Sequence, residues 1–292
     1  MAKKRINRKP KPGVYKGIPY EVYDSWPYVN HSSLRHAMRS AAHYLWAMEN
    51  GVTLESKSLR FGSLVHALAA DDLTGIYIFH GPEWEDMRAR YKRPTTTREW
   101  EHRVGKIRKK LGPDTQVYTA QEHEAAVNVW ESVKAHPIAA DFFQDARREV
   151  SIVWDDQATG VRCKARLDAV NSDGITDLKT TGDASDFERS IRAFRYYRQL
   201  AFYQAGWAQV AGGELLEARI VAVESSACYG VRAAPLSDRL LAAGREEYEV
   251  ALTRIARAID SDRWDGYQSP DQWDSDMKTE VTVWIDGEEH TW

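Results

Sequence analysis

Residues 161–181, VRCKARLDAVNSDGITDLKTT, constrain the fold of this chain more than any other stretch. Residues 161–169 alternate polar with small or apolar side chains, which is the period of a half-buried strand. Residues 171–174 end in Asp173-Gly174 and carry turn chemistry. Residues 175–179 read as a second short strand. Side chains two apart on a strand share a face. Arg162, Lys164, Arg166 and Asp168 therefore point one way, and so do Ile175, Asp177 and Lys179. Pairing the strands gathers Asp168, Asp177 and Lys179 into one cluster. Two carboxylates and an ammonium on a rigid sheet suit a divalent cation beside a phosphodiester. Hard oxygen donors suit Mg²⁺, and the lysine can hold a nucleophilic water or a phosphate oxygen. The same Asp–Lys pair also suits an ordinary solvated ion pair, and a D-x-K triplet alone recurs by chance.

Composition narrows the class. Two cysteines, Cys163 and Cys228, do not make a disulfide framework and point to a reducing compartment. They are also too few for an iron–sulfur cluster. A formal net charge of −3 excludes a generally basic nucleic-acid coat, so any DNA contact must come from local patches. Without an apolar run of membrane length or a signal-peptide pattern, no membrane partner is expected and the expected location is cytoplasmic. No G-x-x-x-x-G-K-[ST] motif is present, so no ATP-driven motor is expected. A length of 292 residues fits one large domain with appended parts. The expected division is a basic flexible tail over 1–13, a main domain over 14–263 and a tryptophan-rich extension over 264–292, packed on the core. The tail is either a solubilising segment or an arm on phosphate.

Residues 14–30, rich in tyrosine and proline, read as irregular. Helical spacing of Leu34, Ala37, Met38, Ala41, Tyr44 and Leu45 behind His31-Ser32-Ser33 predicts one helix over 31–49. Residues 58–70 predict another, with Gly62 either allowing close packing or marking an irregular start; His66, among Leu64, Val65 and Leu68, reads as a packed core histidine. Residues 71–94 read as a loop. Residues 97–111 form a basic helix, either a solvated face or a DNA contact. Residues 119–136 form an amphipathic helix that Pro137 ends. The first core strand spans 147–154, and Glu149 on it reaches the aspartates if the register suits. A long helix follows over 186–211, capped by Asp183 or Ser185 and stopped by Gly212-Gly213; Tyr196, Gln199 and Tyr203 share one of its faces. A strand over 216–223, an amphipathic helix over 237–260 and an edge strand over 280–286 complete the reading.

The pattern Asp168…Asp177-Leu178-Lys179 resembles the PD-(D/E)xK nuclease superfamily, with Leu167 where a proline usually stands. Further segments occur in a matching order. They are HSSLR (31–35), AAHYL (41–45), FGSLVH (61–66), CKARLD (163–168), ITDLKTT (175–181) and YRQLAFY (197–203). The succession is similar to the C-terminal nuclease domain of RecE-type exodeoxyribonuclease VIII, a relative of lambda-type exonucleases. It covers about 31–260.

The resemblance implies an α/β (α+β) fold with a restriction-endonuclease-like PD-(D/E)xK core: a central mixed sheet flanked by helices, with a helical N-terminal elaboration. It reverses the reading of His66, which would join Asp168 and Asp177 as metal ligands, with Glu149 as the acid on the first strand. The Q-x-x-x-Y pair falls on Gln199 and Tyr203, positioning the lysine or a DNA phosphate. Mg²⁺ is the implied cofactor, with Mn²⁺ substituting. Arg162, Lys164 and Arg166 are expected to track the DNA backbone. The implied activity is 5′-to-3′ digestion of linear double-stranded DNA from its ends, leaving 3′ single strands for recombination by a RecT-like annealing protein. A ring-shaped homo-oligomer and a bacterial or phage-infected cell are implied as well. The alternatives are an endonuclease or repair nuclease on the same core, and a non-catalytic DNA-binding module.

Overall fold

The computed structural model describes residues 9–51, 56–267, 282–285 and 288–291, the last two segments by backbone alone. In chain order the first elements are β1 (Gly13–Tyr15), α1 (Tyr20–Asp24), α2 (His31–Arg39), α3 (Ala41–Asn50) and α4 (Lys57–Ala69). Next come β2 (Ile76–Phe79), α5 (Pro82–Arg90), a 3₁₀ turn (Pro94–Thr96), α6 (Arg98–Leu111), β3 (Gln116–Thr119), α7 (Ala120–Ala135) and α8 (Pro137–Phe143). The central meander is β4 (Arg147–Asp155), β5 (Arg162–Val170) and β6 (Gly174–Thr181). It leads into α9 (Phe187–Ala193), α10 (Tyr196–Ala211), β7 (Glu217–Glu224), β8 (Val231–Pro235) and α11 (Asp238–Ser261). The described strands end with the pair β9 (Thr282–Ile285) and β10 (Glu288–Thr291). No described helix is long and apolar enough to cross a membrane.

The chain divides into two units, 1–31 with 53–248 and 32–52 with 249–292. The larger holds a mixed sheet of order β1-β4-β5-β6-β7-β8, antiparallel except for the parallel β6–β7 pair. A parallel pair needs a long crossover, which α9 and α10 supply. On one face, Leu64 and Val65 of α4, Val129 and Val133 of α7 and Phe142 of α8 pack on Ala169, Leu178 and Val221. On the other, Phe202 of α10 lies 4.7 Å from the Trp154 ring. Gly206 lets that helix approach, since a Cβ there would come within 2.7 Å of the same indole. In the smaller unit, Arg254 Nη1 donates to the carbonyls of Ala37 (2.6 Å) and Met38 (2.8 Å), and Tyr44 stacks on Trp264.

Several expectations change. The segment 71–94 is not a loop. Gly81, with φ of 85°, and Pro82 at the first helical turn start α5, which buries Trp84 and Met87. The Ile-Tyr-Ile-Phe run forms β2, parallel to β3, a partner forty residues away in sequence that local pattern does not reveal. The helix expected over 31–49 is two, because Ser40 adopts an extended backbone and its hydroxyl caps α3. The helix over 186–211 is likewise split, by Arg195 in the left-handed region (φ 58°), and the residue before α9 is Asp186, which makes no side-chain cap. Residues 14–30 are more ordered than expected, since α1 and the last two residues of β1 fall within them. Residues 1–8 of the basic tail and most of the tryptophan-rich extension lie outside the described residues.

Lys164 does not face DNA. It is 3% exposed, and its three N–H donors go to the carbonyls of Tyr23 (2.9 Å), Asp24 (2.8 Å) and Trp26 (2.7 Å). No donor remains for a phosphate. Burial pulls its pKa down to about 8. The lysine anchors the segment whose Tyr23, Trp26 and Tyr28 pack with Val153 of β4. Lys164→Ala strands three carbonyls, so it is expected to destabilise the protein by roughly 3 kcal/mol in a urea titration. A loss below about 0.5 kcal/mol, the scale of a neutral surface change, would contradict the anchoring role.

Candidate active site

The ladder between β5 and β6 closes at only two positions, Ala169 opposite Thr176 and Val170 opposite Ile175. One step further, the register sets Asp168 opposite Asp177, but there the strands part. The Asp168 side chain fills the gap: its Oδ2 accepts the Leu178 N–H at 2.8 Å. On the outer side, the β4–β5 ladder pairs Arg148 with Ala169 and Val150 with Leu167 and skips Glu149 and Asp168 between them. Glu149 sits in the left-handed region (φ 49°), a strained backbone for a residue with a side chain. From the helical side, α4 packs closely on β6. Gly62 permits this, since a Cβ there would lie 3.2 Å from Thr180 Oγ1. One turn later α4 delivers His66, whose Nδ1 is 3.6 Å from Asp168 Oδ1 and 3.9 Å from Glu149 Oε1.

His66, Glu149 and Asp168 thus present one imidazole nitrogen and two carboxylate oxygens, all within 4.8 Å of one another. This donor set fits a divalent cation such as Mg²⁺ or Mn²⁺. Burial, and then the neighbouring Asp168 charge, pushes the Glu149 pKa up; His66 and Arg166 pull against that shift. Arg166 Nε donates to Glu149 Oε2, and its Nη1 donates to the Ile18 carbonyl at 2.6 Å. Arg166 therefore orients an acidic ligand candidate and is not turned to the DNA backbone as expected. Arg162 pairs with Asp155, Nε to Oδ1 at 2.7 Å, and remains half-exposed.

Asp177 belongs to a second group. It is 1% exposed, and its Oδ2 pairs with the Lys179 ammonium, 2.6 Å from Nζ. Gln199 Nε2 donates to Asp177 Oδ1 at 2.8 Å and also lies 3.0 Å from the Tyr203 hydroxyl. Burial drives the Asp177 pKa up to about 6, and the Lys179 charge opposes it. For Lys179, burial favours the neutral amine, but Asp177 and then Asp168 outweigh it and the pKa rises. Lys179 therefore stays an ammonium. Its Nζ lies 5.0 Å from the centroid of the Tyr196 ring.

The structure brings His66, Glu149 and Asp168 together and sets Asp177, Lys179, Gln199 and Tyr203 beside them. Sequence reasoning put Tyr196 on the right helix face without giving it a partner. It did not find Arg166 as the group holding Glu149. The signal for that was present: Glu149 and Arg166 lie on facing strands of one meander.

The class of protein that this fold and site define is that of the PD-(D/E)xK nuclease fold. The model of a PDDEXK-like domain of unknown function (DUF3799) matches residues 30–269, and the chain belongs to that family. Its structure is similar to that of a protein from Eubacterium rectale described as a "putative exonuclease". That likeness has a TM-score of 0.61 at 16% identity, over 92% of this chain and 97% of that one, and it carries the fold. No curated protein matches.

Partners that hold a metal ligand change metal affinity by about 10- to 100-fold. Arg166→Ala is expected to weaken Mn²⁺ binding within that range in an isothermal titration, with the fold intact by circular dichroism. Unchanged affinity would remove Arg166 from the site.

Proposed function

We propose that this protein is a Mg²⁺-dependent exodeoxyribonuclease that hydrolyses phosphodiester bonds from the ends of linear double-stranded DNA. It runs 5′ to 3′ and leaves a 3′ single strand for an annealing protein of the RecT type. The observation that carries this reading is the adjacency of a partly buried, charged Lys179 to three metal-type donors. Perturbed titratable groups gathered around a possible metal position are what a catalytic site needs.

His66, Glu149 and Asp168 would hold the cation. When bound, the metal lowers the pKa of a coordinated water and neutralises charge on the scissile phosphate. The chain's own groups do the rest. Lys179 offers a fixed positive charge to the phosphate or to the attacking hydroxide, in a site where little solvent screens it. Asp177 holds that ammonium in position, and Gln199 holds Asp177. Tyr203 backs Gln199 from the next turn of the helix. Arg162, half-exposed at the end of β5 and paired with Asp155, would meet the backbone of the duplex with its remaining donors, a contact that carries no sequence information. A closed ring of subunits would keep the enzyme on its strand without an ATP-driven motor.

Lys179→Ala is expected to cut at least 10²-fold more slowly while binding duplex DNA within a few-fold of wild type. Cleavage at the wild-type rate would end the assignment. With wild-type protein, chelation by EDTA should abolish cleavage and Mg²⁺ restore it. A 5′ label should leave linear duplex before a 3′ label, and covalently closed circles should survive. Cut circles would favour the endonuclease reading instead.

A further inference from the structure

A large apolar side chain on the surface is ordinary by itself. Phe194 differs in what it touches. It is 62% exposed, at the junction between α9 and α10, and its ring centroid lies 5.7 Å from that of Tyr196. Tyr196 is also stacked on Phe187, at 5.9 Å and an interplanar angle of 20°. The Tyr196 ring in turn lies 5.0 Å from Lys179 Nζ. A chain of aromatic rings therefore leads from the lysine to solvent and ends on an uncovered face. Two legs of 5.0 and 5.7 Å span no more than about three base rises of 3.4 Å.

The backbone holds this face outward. Phe194 closes α9, its N–H reaching the Ser190 carbonyl at 3.0 Å. Arg195 then takes the left-handed conformation, at a cost of about 1–3 kcal/mol for a non-glycine residue. Its guanidinium is tied down by the Tyr197 hydroxyl and by Glu247 Oε1 at 3.1 Å. Arg192 is exposed on the turn before Phe194. An exposed ring with an exposed cation two residues before it offers what a nucleic-acid strand meets on a stacking platform: charge for the phosphates, a π-face for the base.

We propose that Phe194 is a stacking platform for an unpaired nucleobase on the strand whose phosphate Lys179 contacts. The inference rests on the nuclease reading and adds to it a base-binding subsite, blind to base identity. Because every base has a π-face, such a site fits an enzyme that digests any sequence.

The test uses full-length Lys179→Ala protein, expected to bind while cutting at least 10²-fold more slowly, with and without Phe194→Ala. The probe is a duplex with a short unpaired 5′ end, carrying either a normal nucleotide or an abasic residue at each end position in turn. Phe194→Ala is expected to weaken binding to the normal end by about 5- to 150-fold. The penalty should vanish when the abasic residue occupies the stacked position, and Phe194→Trp should retain wild-type affinity. Equal binding with and without Phe194 would overturn the subsite. An equal penalty on every abasic end would also overturn it, because the ring would then be structural. Wild-type protein that still degrades linear DNA in either case leaves the nuclease reading standing; failure to bind or cut any DNA removes both.

Discussion

The parting of β5 from β6 is the constraint on which the site depends. β5 continues its ladder with β4 as far as Arg162, and β6 continues its own with β7 as far as Thr181. Between them, pairing stops after Ala169 and Thr176. A gap in a sheet leaves backbone groups without partners, which is costly unless something else satisfies them. Asp168 does so for Leu178 with one carboxylate oxygen and keeps the other for the site. The opening also gives Glu149 and His66 a common target.

The second consequence is electrostatic. Asp177 and Lys179 lie where burial alone would neutralise both. Breaking a buried ion pair by removing one partner is far more costly than the pair is stabilising. This pair is better understood as a device that keeps an ammonium charged and fixed, with Gln199 as its brace, than as a source of stability. The strain at Glu149, at φ 49°, fits the same account. Sparsely populated backbone conformations persist where surrounding contacts determine them, and here Arg166 and the β4 ladder do.

The central hairpin was legible in the sequence because strand periodicity and turn chemistry agree over 161–181. The places of Asp168, Asp177 and Lys179 on neighbouring strands followed from that period, while Gly62 was open between close packing and an irregular helix start, and the structure shows the first. His66 was not legible from its neighbours, since an apolar helix face usually buries a histidine in the core; only the ordered resemblance pointed to it. Lys164 misled for a related reason. Alternation assigns a face, but it does not reveal that residues 18–28 fold over that face and occupy the amine. Helix breaks at Ser40 and Arg195 escaped notice because neither is a proline or glycine. The β2–β3 pair escaped because its partner is distant in sequence.

The claim that His66, Glu149 and Asp168 form a metal centre is tested most directly by anomalous diffraction from crystals soaked in Mn²⁺. The account predicts a peak within bonding distance of His66 Nδ1 and of carboxylate oxygens from Glu149 and Asp168. A peak bound by other residues, with these three unligated at saturating Mn²⁺, would contradict it.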